Sequence, residues 1–138
     1  MSLSSETARA LVEAGAATAT NATPSGLTLD VTSLLGHPAQ RDGVRDGLAG
    51  WLKGAAPDAD VIVCPNIRSL PLSTMAASAL GLPMAYLRPK PKEHGRRRQV
   101  EGVLAEGARA ILLYDELTAD TPVSEAREIV ESHGGSVV

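Results

Sequence analysis

Short aliphatic runs alternate with segments whose apolar positions recur at helical spacing. The runs "LTLDV" (27–31), "DVIVC" (60–64), "MAYL" (84–87) and "ARAILLY" (108–114) each abut a glycine or proline and read as strands. "QVEGVL" (99–104) is a weaker candidate, and "SVV" (136–138) reads as a last strand. Between them, Val44, Leu48, Trp51 and Leu52 share one face of a helix predicted from just after His37-Pro38 to Lys53. Gly43, Gly47 and Gly50 weaken that helix. A second helix is predicted from about Pro71 to Leu80, where Gly81 stops it. A third covers 123–133, with Val123, Ala126, Ile129 and Val130 facing inward and Gly134-Gly135 closing it. At the start, Ser4 or Ser5 caps a helix with Ala8, Leu11 and Val12 on one face, ending at Gly15; residues 16–26 read as a small, polar turn segment.

Strand–helix–strand alternation with aliphatic strands predicts an α/β fold, a mostly parallel sheet flanked by helices, as a single domain over 1–138. Ligands of such sheets bind at the carboxyl ends of the strands. Three features fall there: the loop after Cys64, a basic segment after "MAYL", and the acids Asp115 and Glu116 after "ILLY".

Composition and charge sharpen this picture. There is no Phe, and the only aromatics are Trp51, Tyr86 and Tyr114, so the core is aliphatic, as buried parallel strands usually are. The net charge of −3 argues against nucleic acid as a partner. The charge is uneven, however: residues 88–98 carry six bases and one acid, a local +5. The single Cys64 sits in an apolar run and reads as a buried small hydrophobe. No stretch approaches the roughly 20 apolar residues of a membrane span, and the first residues lack signal-peptide order, so a soluble cytoplasmic protein is expected.

The segment "GLPMAYLRPKPKEHGRRRQVEG" resembles the orotate phosphoribosyltransferases of the type I phosphoribosyltransferase fold. Their mobile loop reads roughly Arg-Lys-x-x-Lys-x-His-Gly ahead of Gln-Ile-Glu-Gly. Arg88, Lys92, His94 and Gly95 match it, as do Gln99, Glu101 and Gly102, whereas Pro89 stands at the second loop position. "PSGLTLDVTSLL" is similar to a shortened form of the family's early hairpin. "DVIVCPNIRSLPLSTMAASALGLP" is similar to its first strand, pyrophosphate loop and helix, and "ILLYDELTADTP" stands where its acidic pair and phosphate loop belong. The resemblance implies transfer of phosphoribosyl from phosphoribosyl pyrophosphate (PRPP) to an orotate-type nucleobase, with Mg2+ bound alongside PRPP. It also implies a homodimer whose mobile loop reaches the neighbouring site. By the same resemblance Lys92 and His94 are the candidate catalytic residues. With them Arg88 would stabilise the pyrophosphate, and Asp115 and Glu116 would hold the ribose; Thr118 and Thr121, in the phosphate loop, and Arg68, in the pyrophosphate loop, are further substrate-binding candidates.

Two loops depart from the family pattern, and their alternatives stay open. The family's phosphate loop has two glycines, which allow close approach of backbone to phosphate. Here the stretch is Ala119-Asp120-Thr121-Pro122: proline lacks an N–H, and Asp120 brings a like charge that at 4 Å and an effective dielectric of 20 repels by about 4 kcal/mol. The same residues read as an ordinary helix start, with Asp120 or Thr121 as N-cap and Pro122 at N1. That points to an alternative function, a degenerate family member that binds or senses a nucleotide or other anion. In the pyrophosphate loop, Arg68-Ser69 replace two small residues, and Arg68 either binds an anion or plugs the space. The basic segment is a solvated or oligomer-contact loop, an anion-binding loop, or, least in keeping with its lack of aromatics, a nucleic-acid contact. His37 reads as helix-entry chemistry and His133 as a partner of the helix dipole, so no metal site is expected.

Overall fold

The computed structural model describes residues 9, 12–13, 17–19, 27–90 and 99–138. A small antiparallel pair, β1 (Ala17–Ala19) and β2 (Leu27–Leu29), precedes a 3-10 turn at Val31–Gly36. Helix α1 (Pro38–Ala55) follows, then β3 (Val61–Cys64), a short 3-10 turn at Ile67–Ser69 and α2 (Leu70–Leu80). The chain continues through β4 (Met84–Leu87), β5 (Val100–Gly102), β6 (Arg109–Leu112), α3 (Val123–Ser132) and β7 (Ser136–Val137). The main sheet has the order β5-β4-β3-β6-β7, parallel throughout except for β5.

The central strand β3 is buried on both sides because every residue from Val61 to Cys64 is apolar. Its alternation splits the core. Ile62 joins Ile111 and Leu113 beneath α1 and α2, packing on Val44, Leu48, Leu52, Leu72 and Ala76. Val61 and Val63 face the other way, with Ala85, Leu87 and Ala110, beneath Ala126 and Val130 of α3. The predicted inner face of α1 is borne out at Val44, Leu48 and Leu52, with Trp51 partly buried. On α3 the prediction holds for Ala126 and Val130, with Ile129 partly buried against the same layer, but Val123, the first residue of the helix, is exposed. Arg9, Val12 and Glu13 are helical, as the opening segment predicts, yet Val12 is exposed; the rest of that helix lies outside the described residues.

Other differences have local causes. The strand predicted over 27–31 stops at Leu29, because the Asp30 carboxylate accepts the Thr32 N–H at 3.0 Å and caps the 3-10 turn. The segment read as turn at 16–26 contains β1, paired Ala17↔Leu29 and Ala19↔Leu27. Gly81 closes α2 in the left-handed conformation, as predicted. Gly102, the glycine of the Gln-x-Glu-Gly match, has φ +90°, and a Cβ there would meet the Met84 carbonyl at 2.5 Å. Cys64 is fully buried, and burial pushes its thiol up, so it is packing material. Among the described residues no helix is long and apolar enough to cross a membrane.

At the amino ends of β3 and β6, Arg109 closes a fork on Asp60: Nε to Oδ2 at 2.9 Å, Nη2 to Oδ1 at 3.1 Å, with the Arg109 N–H also on Oδ2 at 2.9 Å. These bonds hold the Asp60 carboxyl at about 2, below its ordinary 3.8. A lowered carboxyl favours the fold above its unfolded value and stops doing so once protonated in the native state. Acid titration of thermal stability should therefore show a contribution complete above about pH 4 that fades towards pH 2. Asp60→Asn should melt earlier than wild type at pH 7 and coincide with it near pH 2; a constant gap across that window would refute the assignment.

Candidate functional site

Because β3, β4 and β6 are parallel, the segments that leave their carboxyl ends, 65–69, 88–90 and 113–116, emerge on one side of the sheet. The loop after β3 is built by Asn66. Its side-chain carbonyl accepts the Ser69 N–H at 3.0 Å, turning the chain into α2. That places the fully buried Ser69 hydroxyl against the segment after β6: it accepts the Asp115 N–H at 3.2 Å and lies 3.1 Å from Asp115 Oδ1. The same hydroxyl is 3.1 Å from Asn66 Oδ1, so its one proton serves one acceptor at a time.

Asp115 is almost wholly enclosed, its side chain 4% exposed. A buried carboxylate needs a counter-charge, and Arg68 supplies it, with Nε 3.1 Å from Asp115 Oδ2 and Nη2 3.5 Å from Glu116 Oε2. The first approach lacks hydrogen-bond alignment, so Oδ2 is held by charge and keeps its acceptor capacity. Arg68 itself is more than half exposed, so the ion pairs have solvent on their outer side. Thr32 holds the Asp30 carboxyl below its ordinary value, and the Arg68 charge adds to that effect, which places Arg68 among three acids.

The turn after Glu116 is closed on itself. Thr118 donates its N–H to Thr121 Oγ1 at 2.8 Å, Thr121 returns its N–H to the Thr118 carbonyl at 3.1 Å, and the Val123 N–H goes to the Thr121 carbonyl at 2.8 Å. The helix-start reading needs correction in one respect. Pro122 occupies the N-cap of α3 and no side chain caps it, since the Thr121 hydroxyl is committed to Thr118 and not to the helix. Thr118 and Thr121 are thus together, but three N–H groups that an anion would want already have partners. Across the site, Arg88 follows β4, its Nη1 3.3 Å from Glu101 Oε1, and Gln99 donates to the Arg88 carbonyl at 3.3 Å. These contacts tie the two arms of the basic segment together. Lys92 and His94 lie outside the described residues.

No family model matches the chain. Among curated relatives, the orotate phosphoribosyltransferase of Enterococcus faecalis is 35% identical over 104 residues, 75% of this chain and 50% of the relative. That of Sinorhizobium medicae is 34% identical over 115 residues, 82% of this chain and 50% of the relative. The chain spans about half the length of the curated relatives it matches. Among solved structures, orotate phosphoribosyltransferase from Aeropyrum pernix superposes with a TM-score of 0.74 at 28% identity, covering 94% of this chain and 76% of that one. Over three quarters of its length the chain is similar to orotate phosphoribosyltransferases, and its fold is that of the type I phosphoribosyltransferases. Adenine phosphoribosyltransferase from Saccharomyces cerevisiae shares the fold, with a TM-score of 0.74 at 22% identity over 95% of this chain and 85% of that one.

Within that fold, the expected site residues Arg68, Asp115 and Glu116 converge, Thr118 and Thr121 meet in the next turn, and Arg88 stands across from them. Sequence reasoning passed over Ser69 and Asn66, although the Asn-x-x-Ser spacing is the signature of a side-chain-closed turn. Ser69 is the hinge pin between the two loops. Ser69→Ala would leave the Asp115 N–H and Oδ1 without their partner, and urea unfolding should register a loss of about 1–3 kcal/mol.

Proposed function

We propose that this chain performs phosphoribosyl transfer from PRPP to an orotate-type base. The observation that carries the reading is the acidic pair at the carboxyl end of β6, an enclosed Asp115 pinned by Ser69 and a half-buried Glu116, both faced by Arg68 from the neighbouring loop. The ribose hydroxyls of PRPP donate to these carboxylates, Asp115 Oδ2 being the acceptor left with charge contact alone. Arg68, more than half exposed and on the loop that leads into α2, turns from the acids to the departing pyrophosphate as the hydroxyls take its place. Arg88 stands at the base of the segment that carries Lys92 and His94, and these three add cationic charge where the leaving group develops its own. Closure of that segment, from the same chain or from the second subunit of a homodimer, excludes water from the reacting carbon.

Magnesium fits this site as an ion carried by the diphosphate. No cluster of three or more ligating side chains occurs among the described residues, while Asp115 and Glu116 offer the one or two carboxylates that such an ion takes besides phosphates. When bound it neutralises pyrophosphate charge. The chain's own residues position the ribose and receive the leaving group.

The self-closed turn at Thr118–Val123 favours a second reading, a family member that binds a nucleotide or other anion without turnover. A spectrophotometric assay with orotate, PRPP and Mg2+ separates the two. Transfer is expected, with kcat falling about 100-fold in Lys92→Ala and kcat/KM about tenfold in Arg68→Ala. Calorimetric binding of PRPP with no consumption of orotate would select the second reading. A gain in PRPP affinity in Arg68→Ala would show that Arg68 plugs the site.

A further inference from the structure

The Ser69 hydroxyl stands between two acceptors, Asn66 Oδ1 and Asp115 Oδ1, each 3.1 Å away, and has one proton to give. Its own oxygen is already engaged, since the Asp115 N–H donates to it at 3.2 Å. The two acceptors differ in what they lose without that proton. Asn66 Oδ1 keeps the Ser69 N–H at 3.0 Å, and the residue is held from behind by the Cys64 thiol, which donates to the Asn66 carbonyl at 3.0 Å. Asp115 has no such reserve. Its side chain is 4% exposed, its Oδ2 has no hydrogen-bond partner, and its counter-charge is Arg68, 3.1 Å away on the same 3-10 turn as Ser69.

With Arg68 in place the charge of Asp115 is balanced, and the amide oxygen of Asn66 can compete for the proton. Once Arg68 turns away, an enclosed carboxylate is left without its partner, the situation that destabilises a buried ion pair most. A charged acceptor then outcompetes a neutral amide, because charge-assisted hydrogen bonds are about twice as strong. Rotation about the Ser69 Cβ–Oγ bond redirects the proton, and no covalent bond is made or broken. We propose that Ser69 is a positioning residue whose hydroxyl turns from Asn66 Oδ1 to Asp115 Oδ1 when Arg68 leaves Oδ2, holding the acid in place until a ligand hydroxyl arrives. The proposal rests on the exchange of Arg68 for ribose hydroxyls described above. It goes beyond a static pin, because it makes the contribution of Ser69 depend on where Arg68 is.

A double-mutant cycle on the full chain tests this, read by urea unfolding near neutral pH without PRPP. Ser69→Ala should raise the unfolding constant about tenfold more in the Arg68→Ala background than in the wild type. Neighbouring residues can couple for other reasons, so the cycle is repeated with Asp115→Asn, whose amide carries no charge to support. There Ser69→Ala should act equally with and without Arg68. If the double variant does not fold, adding Asp115→Asn should restore folding. Equal effects of Ser69→Ala in both Arg68 backgrounds, a coupling that survives Asp115→Asn, or an unfolded double variant that Asp115→Asn does not rescue would each overturn the proposal. Because the cycle uses no PRPP, a failure to transfer phosphoribosyl in the orotate assay refutes the function above and leaves the result of the cycle standing on its own.

Discussion

The parallel pairing of β3 with both neighbours is the constraint on which the rest rests. Ile62 lies beside Met84 on one side and Ile111 on the other, and all four residues of β3 are buried. Parallel strands send their carboxyl ends the same way, so the loop from Cys64, the arm from Leu87 and the acids after Leu113 have no choice but to meet. The fork between Asp60 and Arg109 secures the opposite end of the same two strands. A slip of one residue would exchange Ile62 with Val61 and Val63 between the two core layers, changing the volume packed in each, and would pull Asp60 out of its fork with Arg109. The site is therefore positioned by packing before any of its own interactions form.

On that frame the acidic pair is held in a state of tension between stability and use. Asp115 is enclosed to a degree that demands a counter-charge, and the chain provides one from the adjoining loop in Arg68. A cation that satisfies the empty site also competes with what the site would bind. Because Arg68 is exposed on its far side and approaches Oδ2 out of hydrogen-bond alignment, the pairing is weaker than the fork between Asp60 and Arg109 at the other end of the sheet. The contrast is consistent with a structural ion pair at the amino ends and an exchangeable one at the carboxyl ends.

Much of this was legible in the sequence because the signals were local and strong. "DVIVC" and "ARAILLY" could hardly be other than buried strands, Gly81 marked the end of α2, and the matched loop around Arg88 and Gln99 pointed to the orotate phosphoribosyltransferases that the chain resembles. What escaped depended on side chains far apart along the chain or on small residues without pattern. β1 is Ala-Thr-Ala, with no alternation to betray it. Strand β2 yields at Asp30 because a carboxylate capping Thr32 outcompetes continuation of the ladder. Ser69 gains its meaning only from Asp115, 46 residues away.

The turn at Thr118–Val123 shows how far a family likeness carries and where residue chemistry takes over. Position alone would make it a phosphate cradle. Composition alone would make it a capped helix start, and it is not one: Thr121 spends its hydroxyl on Thr118, and α3 begins at a proline with no side-chain cap. A phosphate entering here would have to replace an internal network, not fill an open nest, so each new hydrogen bond would come at the loss of an old one. On the proposed function, little binding energy would come from this end of the site, and affinity for a sugar phosphate would come mainly from the carboxylates and the cations that face them. On that function the discriminating contacts would thus move from the 5-phosphate to the ribose and the pyrophosphate, the half of the ligand that Arg68, Arg88 and the acidic pair would meet.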